Sequence, residues 1–351
     1  MQTLYFAYPG DLETPTGGYG YDRRILAGLR DLGLEVTPIP LGDGFPSPDD
    51  GTLRAAGQTL AGLPADSIVV IDGLAFGAMD EIAAELDGHL KLVALVHHPL
   101  CLENGLTAET ARKLQDSERR ALSAVAHVIV TSPATAGQVT ELFDIPAEWI
   151  DVVLPGTDLP AATVSRSGNE TLRLLSVGTI VPRKGYDLLI KALTALEHLP
   201  WHLDIAGGLD AAPDCYRDLK MQIESAGLQE RVVFHGAVEQ AKLQGLYDRA
   251  DIFVLASRYE GYGMAYTEAL ANGLPVIGSG GGAVRETLPD GAAIYCPPED
   301  ERALQSALEL LLNSPQERQR LGHEARQAAE RLPRWSDSAR QFANALKEVA
   351  S

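Results

Sequence analysis

The sequence predicts an α/β protein made of two tandem Rossmann-like domains, each with its own parallel sheet. Three observations predict it. Short β-branched apolar runs alternate with longer amphipathic segments along nearly the whole chain. The alternation breaks once, between Pro155 and Thr171, in a stretch rich in Pro, Gly, Ser, Thr and Ala, and then resumes. The 351 residues suit two domains of about 100–200 each.

In the first half, strands are expected at Leu4–Tyr8, Glu35–Ile39, Ser67–Asp72, Lys91–His97, His127–Thr131 and Ile150–Leu154. Helices are expected to begin near Tyr21, Thr52, Ala78, Ala108 and Ala134. The first carries Ile25, Leu26, Leu29 and Leu32 on one face at helical spacing. In the second half, strands are expected at Arg173–Val177, Trp201–Ala206, Val232–His235, Asp251–Ala256, Pro275–Gly278 and Ala292–Tyr295. Helices should begin near Tyr186, Ala212, Gln240, Ala265, Ala283 and Glu301, with a last one after Trp335. A βαβα series of this kind gives a parallel sheet covered on both faces.

Composition narrows the function classes. No apolar run reaches the ~20 residues that span a bilayer. The N-terminus reads as a first strand and not as a signal peptide. Cys101, Cys215 and Cys296 are odd in number and far apart, which argues against a disulfide framework or cysteine metal cluster and for a cytoplasmic location. The net charge is −19, and residues 1–160 hold 23 acids against 9 Lys and Arg. Such a surface repels phosphate backbones and anionic lipid, so nucleic acid is not an expected partner and peripheral membrane contact is not favoured. Arg112, Lys113, Arg119 and Arg120 do cluster, but Glu109, Asp116 and Glu118 dilute them, and a solvated helix is the reading.

The chemistry is concentrated at strand ends, where open α/β sheets bind ligands. The strand Asp251–Ala256 runs into a loop containing Glu260, Gly261 and Gly263, and a helix carrying Glu268 follows. A helix N-terminus offers N–H groups and partial positive charge to a phosphate, and a carboxylate can accept from two vicinal hydroxyls. Either glutamate alone reads as a solvated or dipole-complementing acid; the pair in this setting reads as a sugar and ribose holder. The stretch resembles the paired-glutamate motif of the family 4 retaining glycosyltransferases, which have the GT-B fold of two Rossmann-like domains whose parallel sheets face a central cleft. The resemblance implies that Glu260 contacts the donor sugar and Glu268 the ribose. Backbone around Gly261, Gly263, Met264 and Ala265 would then meet the sugar and diphosphate.

Gly178-Thr179, then Arg183-Lys184-Gly185, lie between a strand and a helix. Two adjacent cations there can neutralise a diphosphate; a solvated basic turn is the plainer reading. In the family an arginine follows the glycine. Lys184 matches the family lysine, whereas Thr179 stands at the arginine position, and Arg183 is the neighbour able to replace it. The Asp11–Gly20 segment reads as a flexible βα loop or a ligand loop; the resemblance makes Gly17 and Gly18 the family Gly-Gly pair. His97 ends the fourth strand and by resemblance touches the donor sugar. Tyr19, His98, Glu103 and Asn104 are weaker acceptor candidates, and Gly236 matches a position beside the nucleotide base. The segment from Ser279 to Glu286 reads as a tight βα turn or a phosphate cradle.

The expected organisation is an acceptor domain over 1–158 joined by a C-terminal helix at about 335–351, a linker at 159–170, and a donor domain over 171–334. The resemblance implies a metal-independent transfer of a hexosyl group, with retained configuration, from a GDP- or UDP-sugar. The acceptor would be a hydroxyl of a glycan, glycolipid precursor or small metabolite. No Asp-any-Asp sequence for a cation occurs, and no metal site or resident cofactor is expected. The alternatives are a nucleotide-sugar 2-epimerase and a non-catalytic nucleotide-sugar binding protein.

Overall fold

A computed structural model describes residues 4–160 and 170–350. The chain divides into two compact units. One runs to Gly156 and takes back the segment from Pro333 onward; the other is Thr157–Leu332. Most of the expected linker, 161–169, lies outside the described residues.

The first unit contains β1 (Leu4–Tyr8), α1 (Gly17–Asp31), β2 (Val36–Pro40), α2 (Asp50–Ala61), β3 (Ile68–Asp72), α3 (Gly73–Phe76), α4 (Asp80–Leu86) and β4 (Lys91–Val96). It continues with α5 (Ala108–Leu122), β5 (His127–Val130), α6 (Pro133–Phe143) and β6 (Ile150–Val152). Its strands lie in the order β2-β1-β3-β4-β5-β6, all parallel. Every residue of β3 is buried, as helices on both faces of a parallel sheet require.

The second unit contains β7 (Leu172–Val177), α7 (Tyr186–Thr194), β8 (Trp201–Ala206), α8 (Pro213–Ser225), β9 (Val232–Phe234), α9 (Gln240–Arg249) and β10 (Ile252–Leu255). Then come β11 (Tyr259–Glu260), α10 (Met264–Ala271), β12 (Val276–Ser279), β13 (Gly281–Gly282), α11 (Val284–Thr287), β14 (Ala293–Cys296), α12 (Glu301–Asn313) and α13 (Pro315–Ala329). The sheet order is β14-β12-β10-β7-β8-β9. The strand order therefore reverses between the parallel neighbours β7 and β10, as it does between β1 and β3 in the first unit. Crevices at the carboxyl ends of such strand pairs are where doubly wound sheets take ligands.

The last helix, α14 (Trp335–Ala350), packs on α1 of the first unit. Its buried Ala339, Phe342, Ala343 and Leu346 form one stripe at helical spacing. Ser338 donates to the Leu154 carbonyl at 2.7 Å. Arg24 lies over the Trp335 ring, 5.2 Å from its centroid.

Three sequence expectations need correction. The first helix begins at Gly17, not near Tyr21, because Thr16 caps it by accepting from the Tyr19 N–H. Gly17, Gly18 and Tyr19 are thus its first turn and not a flexible loop. Glu118 does not dilute a surface charge cluster: it is 1% exposed and accepts from the Leu100 N–H at 2.9 Å. The helix α13 was not anticipated, although Ser314 followed by Pro315 is a start signal and Leu321, Ala325 and Ala329 form its buried stripe. The four basic residues do sit on α5, where Lys113 pairs with Glu109, Arg119 with Asp116 and Arg120 with Asp80.

Candidate active site

In the second unit the site grows from the ends of β7 and β10. Pro182–Lys184 form a single 3₁₀ turn after β7. It is stitched to the β10–β11 segment from both sides. The Arg258 N–H donates to the Arg183 carbonyl at 2.7 Å, and the Arg258 guanidinium donates to the Pro182 carbonyl at 2.6 Å. Arg258 is itself held by Asp187 at 2.7 Å and by Glu299. The turn closes at Gly185, whose φ is +61° and where a Cβ would collide with the Ala256 carbonyl, so the close approach of the two segments demands glycine.

This stitching brings Lys184 and Arg183 onto Glu260. Lys184 Nζ lies 2.6 Å from Glu260 Oε1, and Arg183 Nη1 lies 3.2 Å from Oε2. Ser257 donates to Oε1 at 2.5 Å, and Arg183 also donates to the Tyr259 carbonyl at 3.0 Å. Glu260 is 5% exposed, so it is no solvated loop acid. Burial alone would raise its pKa, but Lys184 and Arg183 outweigh burial and hold it down to about 2. The three ionised groups sum to one net positive charge at the carboxyl edge of the sheet.

The Ser279–Glu286 segment supports Glu260 from behind. Its β13 pairs in parallel with β11, and the Ala283 N–H donates to the Glu260 carbonyl at 2.9 Å. Gly282, at φ +66°, leaves no room for a Cβ against that carbonyl. Of the two sequence readings, turn and phosphate cradle, the hydrogen bonds describe a turn.

Gly261 follows Glu260, and Gly263, at φ +96°, opens α10, whose first residues are Met264 and Ala265; no side chain among the described residues caps this N-terminus. Glu268 sits one turn in and accepts from Tyr247 Oη at 2.8 Å. Burial raises its pKa, partly offset by that hydrogen bond. Gly178 follows β7 beside Lys184, and its carbonyl accepts from Tyr186 Oη at 2.7 Å. Thr179 follows it, facing Gly208. The carbonyl of Gly236, after β9, accepts from the Gly207 N–H at 2.9 Å.

The first unit carries a second constellation, at the ends of β1, β3 and β4. His97 Nε2 lies 3.2 Å from Asp22 Oδ1 and 3.3 Å from Asp72 Oδ2. Gly18 abuts the same ring, with space for a Cβ 3.5 Å away, and Tyr21 meets it edge-on with centroids 5.3 Å apart. Gly17 stands in open space. Burial acts to lower the His97 pKa, but the two carboxylates prevail and raise it. Burial raises Asp22, and Asp72 adds to that. The ligand atoms of Asp22, Asp72 and His97 all lie within 4.8 Å of one another, a spacing that suits a proton network or a small cation.

Tyr19 donates to the Pro9 carbonyl at 2.8 Å. Burial first, and then Asp72, Asp22, Asp43 and Asp11, push its phenol up to about 12. His98 pairs with Glu103 at 3.3 Å, and the Asn104 N–H donates to Glu103 at 3.1 Å. The buried Asn104 Oδ1 has no hydrogen-bond partner among the described residues.

Sequence reasoning missed Ser257, Tyr247, Asp22 and Asp72. Asp72 carried a usable signal, since it ends a strand at the same sheet edge as His97. Asp22 carried none, because a polar residue in a helix is ordinarily solvated. No helix among the described residues is long and apolar enough to cross a membrane.

Comparison with known proteins shows what the chain is similar to. Residues 163–328 match the family described as Glycosyl transferases group 1. The chain is 28% identical over 326 residues to the MMP alpha-(1->4)-mannosyltransferase of Mycolicibacterium hassiacum, covering 88% of this chain and 78% of that one. It is 33% identical over 194 residues to the mannosylfructose-phosphate synthase of Agrobacterium fabrum, covering 50% of this chain and 43% of that one. A D-inositol 3-phosphate glycosyltransferase of Xylanimonas cellulosilytica is 29% identical over 240 residues, which is 63% of this chain and 57% of that one. The chain thus spans about half the length of these last two relatives. Among solved structures, the sucrose-phosphate synthase of Thermosynechococcus elongatus superposes with a TM-score of 0.83 at 20% identity, over 99% of this chain and 100% of that one. Anabaena HepE in complex with UDP and glucose does so at 0.77 and 17% identity, over 98% and 100%. With two doubly wound units of the GT-B kind and a family match over residues 163–328 of the second, the chain is similar to the group 1 glycosyltransferases.

Proposed function

We propose that this protein is a retaining, metal-independent glycosyltransferase that moves a hexosyl group, mannosyl first among those to test, from a GDP- or UDP-sugar to an uncharged hydroxyl acceptor. The observation that carries the reading is the convergence of Lys184 and Arg183 on the buried Glu260, eight residues before Glu268 at the mouth of α10. One net positive charge and an uncapped helix N-terminus suit a departing nucleoside diphosphate, so protein groups can supply the stabilisation that other transferases draw from a cation. Glu260 would hold donor-sugar hydroxyls and Glu268 the ribose, with Gly178, Thr179, Gly236, Gly261, Gly263, Met264 and Ala265 lining the donor.

The first unit would receive the acceptor. Gly17, Gly18 and His97 would meet the donor side, and Tyr19, His98, Glu103 and Asn104 the acceptor side. Asp11, Asp43, Asp22 and Asp72 all act on Tyr19 there. That field favours a neutral polyol, such as a glycan end or small sugar, over a phosphorylated one. Mannosyl heads the donor list because two of the relatives above are named for it.

The test has two stages. Thermal shift against GDP-, UDP- and ADP-sugars and the free nucleotides selects the donor, since a ligand of the native state stabilises it by mass action. Transfer to neutral sugars, with and without EDTA, is then followed by NMR of the product's anomeric proton. The expected product retains the donor's configuration and forms at full rate in EDTA. An inverted product or a dead EDTA reaction overturns the corresponding part. A changed sugar formed without acceptor would instead indicate a 2-epimerase, and binding without turnover a binding protein.

A further inference from the structure

His97 leaves β4 between two carboxylates that come from different elements: Asp22 from α1 and Asp72 from the end of β3. Both acids are buried, at 0% and 3% exposure, while 21% of the His97 side chain is exposed. Asp72 Oδ1 accepts from the Leu74 N–H at 2.7 Å, which fixes its rotamer and leaves Oδ2 for the ring. Asp22 Oδ2 has no hydrogen-bond partner among the described residues. Among the described residues its charge is therefore compensated within this cluster.

The geometry decides the state of Nε2. A lone pair at that nitrogen would face the lone pairs of two carboxylate oxygens, so Nε2 carries a hydrogen. What remains is the other nitrogen, Nδ1. In a neutral ring it is an acceptor and a potential base. In a cation it is a second donor. Two carboxylates on one nitrogen, in surroundings that screen poorly, favour the cation over the desolvation that opposes it. The titratable groups facing the cluster are Asp22, Tyr19 and Tyr21 from α1 and Asp72 from β3. On the far side the hydroxyls of Thr131 and Thr135 donate to the His97 carbonyl, at 3.2 and 3.5 Å, and hold the backbone.

We propose that Asp22 and Asp72 are positioning residues that keep His97 as an imidazolium, its Nε2–H turned into the fold and its Nδ1–H kept as a donor for substrate oxygen. His97 then serves the transfer as a fixed positive charge and hydrogen-bond donor, not as a general base. This role rests on the glycosyl-transfer reading above; the protonation state does not. The same three groups have the spacing of a cation site, and a metal there would have to displace the Nε2 proton.

The experiment is a pH titration of the full-length chain labelled with ¹⁵N-histidine, with the His97 signals assigned by loss in His97→Gln. The expected wild-type ring keeps both protons well past the ~6.5 of an ordinary imidazole. Asp72→Asn and Asp22→Asn should each bring the titration down towards that value. If Asp22→Asn fails to fold, the wild-type ring and Asp72→Asn decide. A wild-type ring titrating at or below the ordinary value, or titrations unmoved by both substitutions, overturns the proposal. So does stoichiometric broadening of the His97 signals by Mn²⁺, which would mean a metal site. The kinetic arm is the pH profile of transfer. Asp72→Asn should lose kcat by about tenfold between about pH 7 and about pH 9, where wild type holds, with KM for the donor unchanged. A protein with a doubly protonated His97 but no transfer activity would fault the functional reading and not the protonation assignment.

Discussion

Lys184 Nζ and Glu260 Oε1 stand 2.6 Å apart, bridging the ends of β7 and β10 at the switch point of the second unit. On the proposed reading, the two cations that this buried carboxylate holds in place, Lys184 and Arg183, meet the incoming diphosphate. Lys184→Ala and Glu260→Ala should each lower kcat by about 10²–10³-fold. Near-normal turnover by both purified variants would remove this cluster from the active site.

The same cluster sets acid stability. Burial works against ionised Glu260, yet Lys184 and Arg183 hold its pKa down to about 2. A depressed carboxylate contributes stability above its unfolded value of about 4.3, and that contribution disappears as pH falls through the folded value. The stability gap between wild type and Glu260→Gln should therefore shrink from about pH 4.3 down to about 2. Denaturant melts at stepped pH measure it, and a gap constant with pH would contradict the linkage.

Glu118 has the opposite sign. Burial pushes its pKa up to about 8, only partly opposed by the Leu100 N–H. The unfolded chain gives up this proton first, so stability falls as pH rises from about 4.3 towards 8. Glu118→Gln keeps an acceptor for Leu100 and removes the titration. It should raise Tm by a few degrees at pH 8 and by little at pH 4. A Tm difference that is flat across this range would count against a buried, titrating Glu118.

Gly185 is both left-handed, at φ +61°, and pressed against the Ala256 carbonyl. Gly185→Ala should destabilise the second unit by about 2–3 kcal/mol and should weaken donor binding, because the turn carrying Lys184 must move. Calorimetry together with nucleotide titration tests it; unchanged nucleotide affinity would show that the turn does not position the site.

The C-terminal helix belongs physically to the first unit. A Cβ on Gly28 of α1 would stand 2.5 Å from the Ala339 Cβ of α14, so that crossing tolerates only glycine. Gly28→Val should cost about 2–3 kcal/mol by overpacking. Truncation before Trp335 should expose Tyr21, Ile25 and Leu29 and yield a protein that binds a hydrophobic dye. A truncated chain that melts like wild type would refute this dependence.

Much of the fold and part of the candidate site was legible from local pattern. Strands such as Trp201–Ala206 announce themselves as β-branched runs between amphipathic segments, and Glu260 and Glu268 flag themselves by spacing within a strand–loop–helix unit. Less was legible where one residue overrides its neighbours. Thr16 starts α1 four residues early by accepting a single N–H, and Glu118 looks like a solvated acid until the Leu100 N–H is found beneath it. Arg258 lies inside the motif, yet Asp187 and Glu299 hold it as a structural clamp.

By itself, then, the sequence determined the alternation of strands and helices, the two parallel sheets, and the residue types at the strand ends, because hydrophobic periodicity and glycine placement are local properties. The tertiary structure alone decided which of those residues meet. Glu260 finds Lys184 across 76 positions of sequence, and His97 finds Asp22 across 75. Such pairings depend on strand order, which no local pattern encodes. They fix charge, and with it chemistry, because burial makes each nearby opposite charge count far more than it would in water.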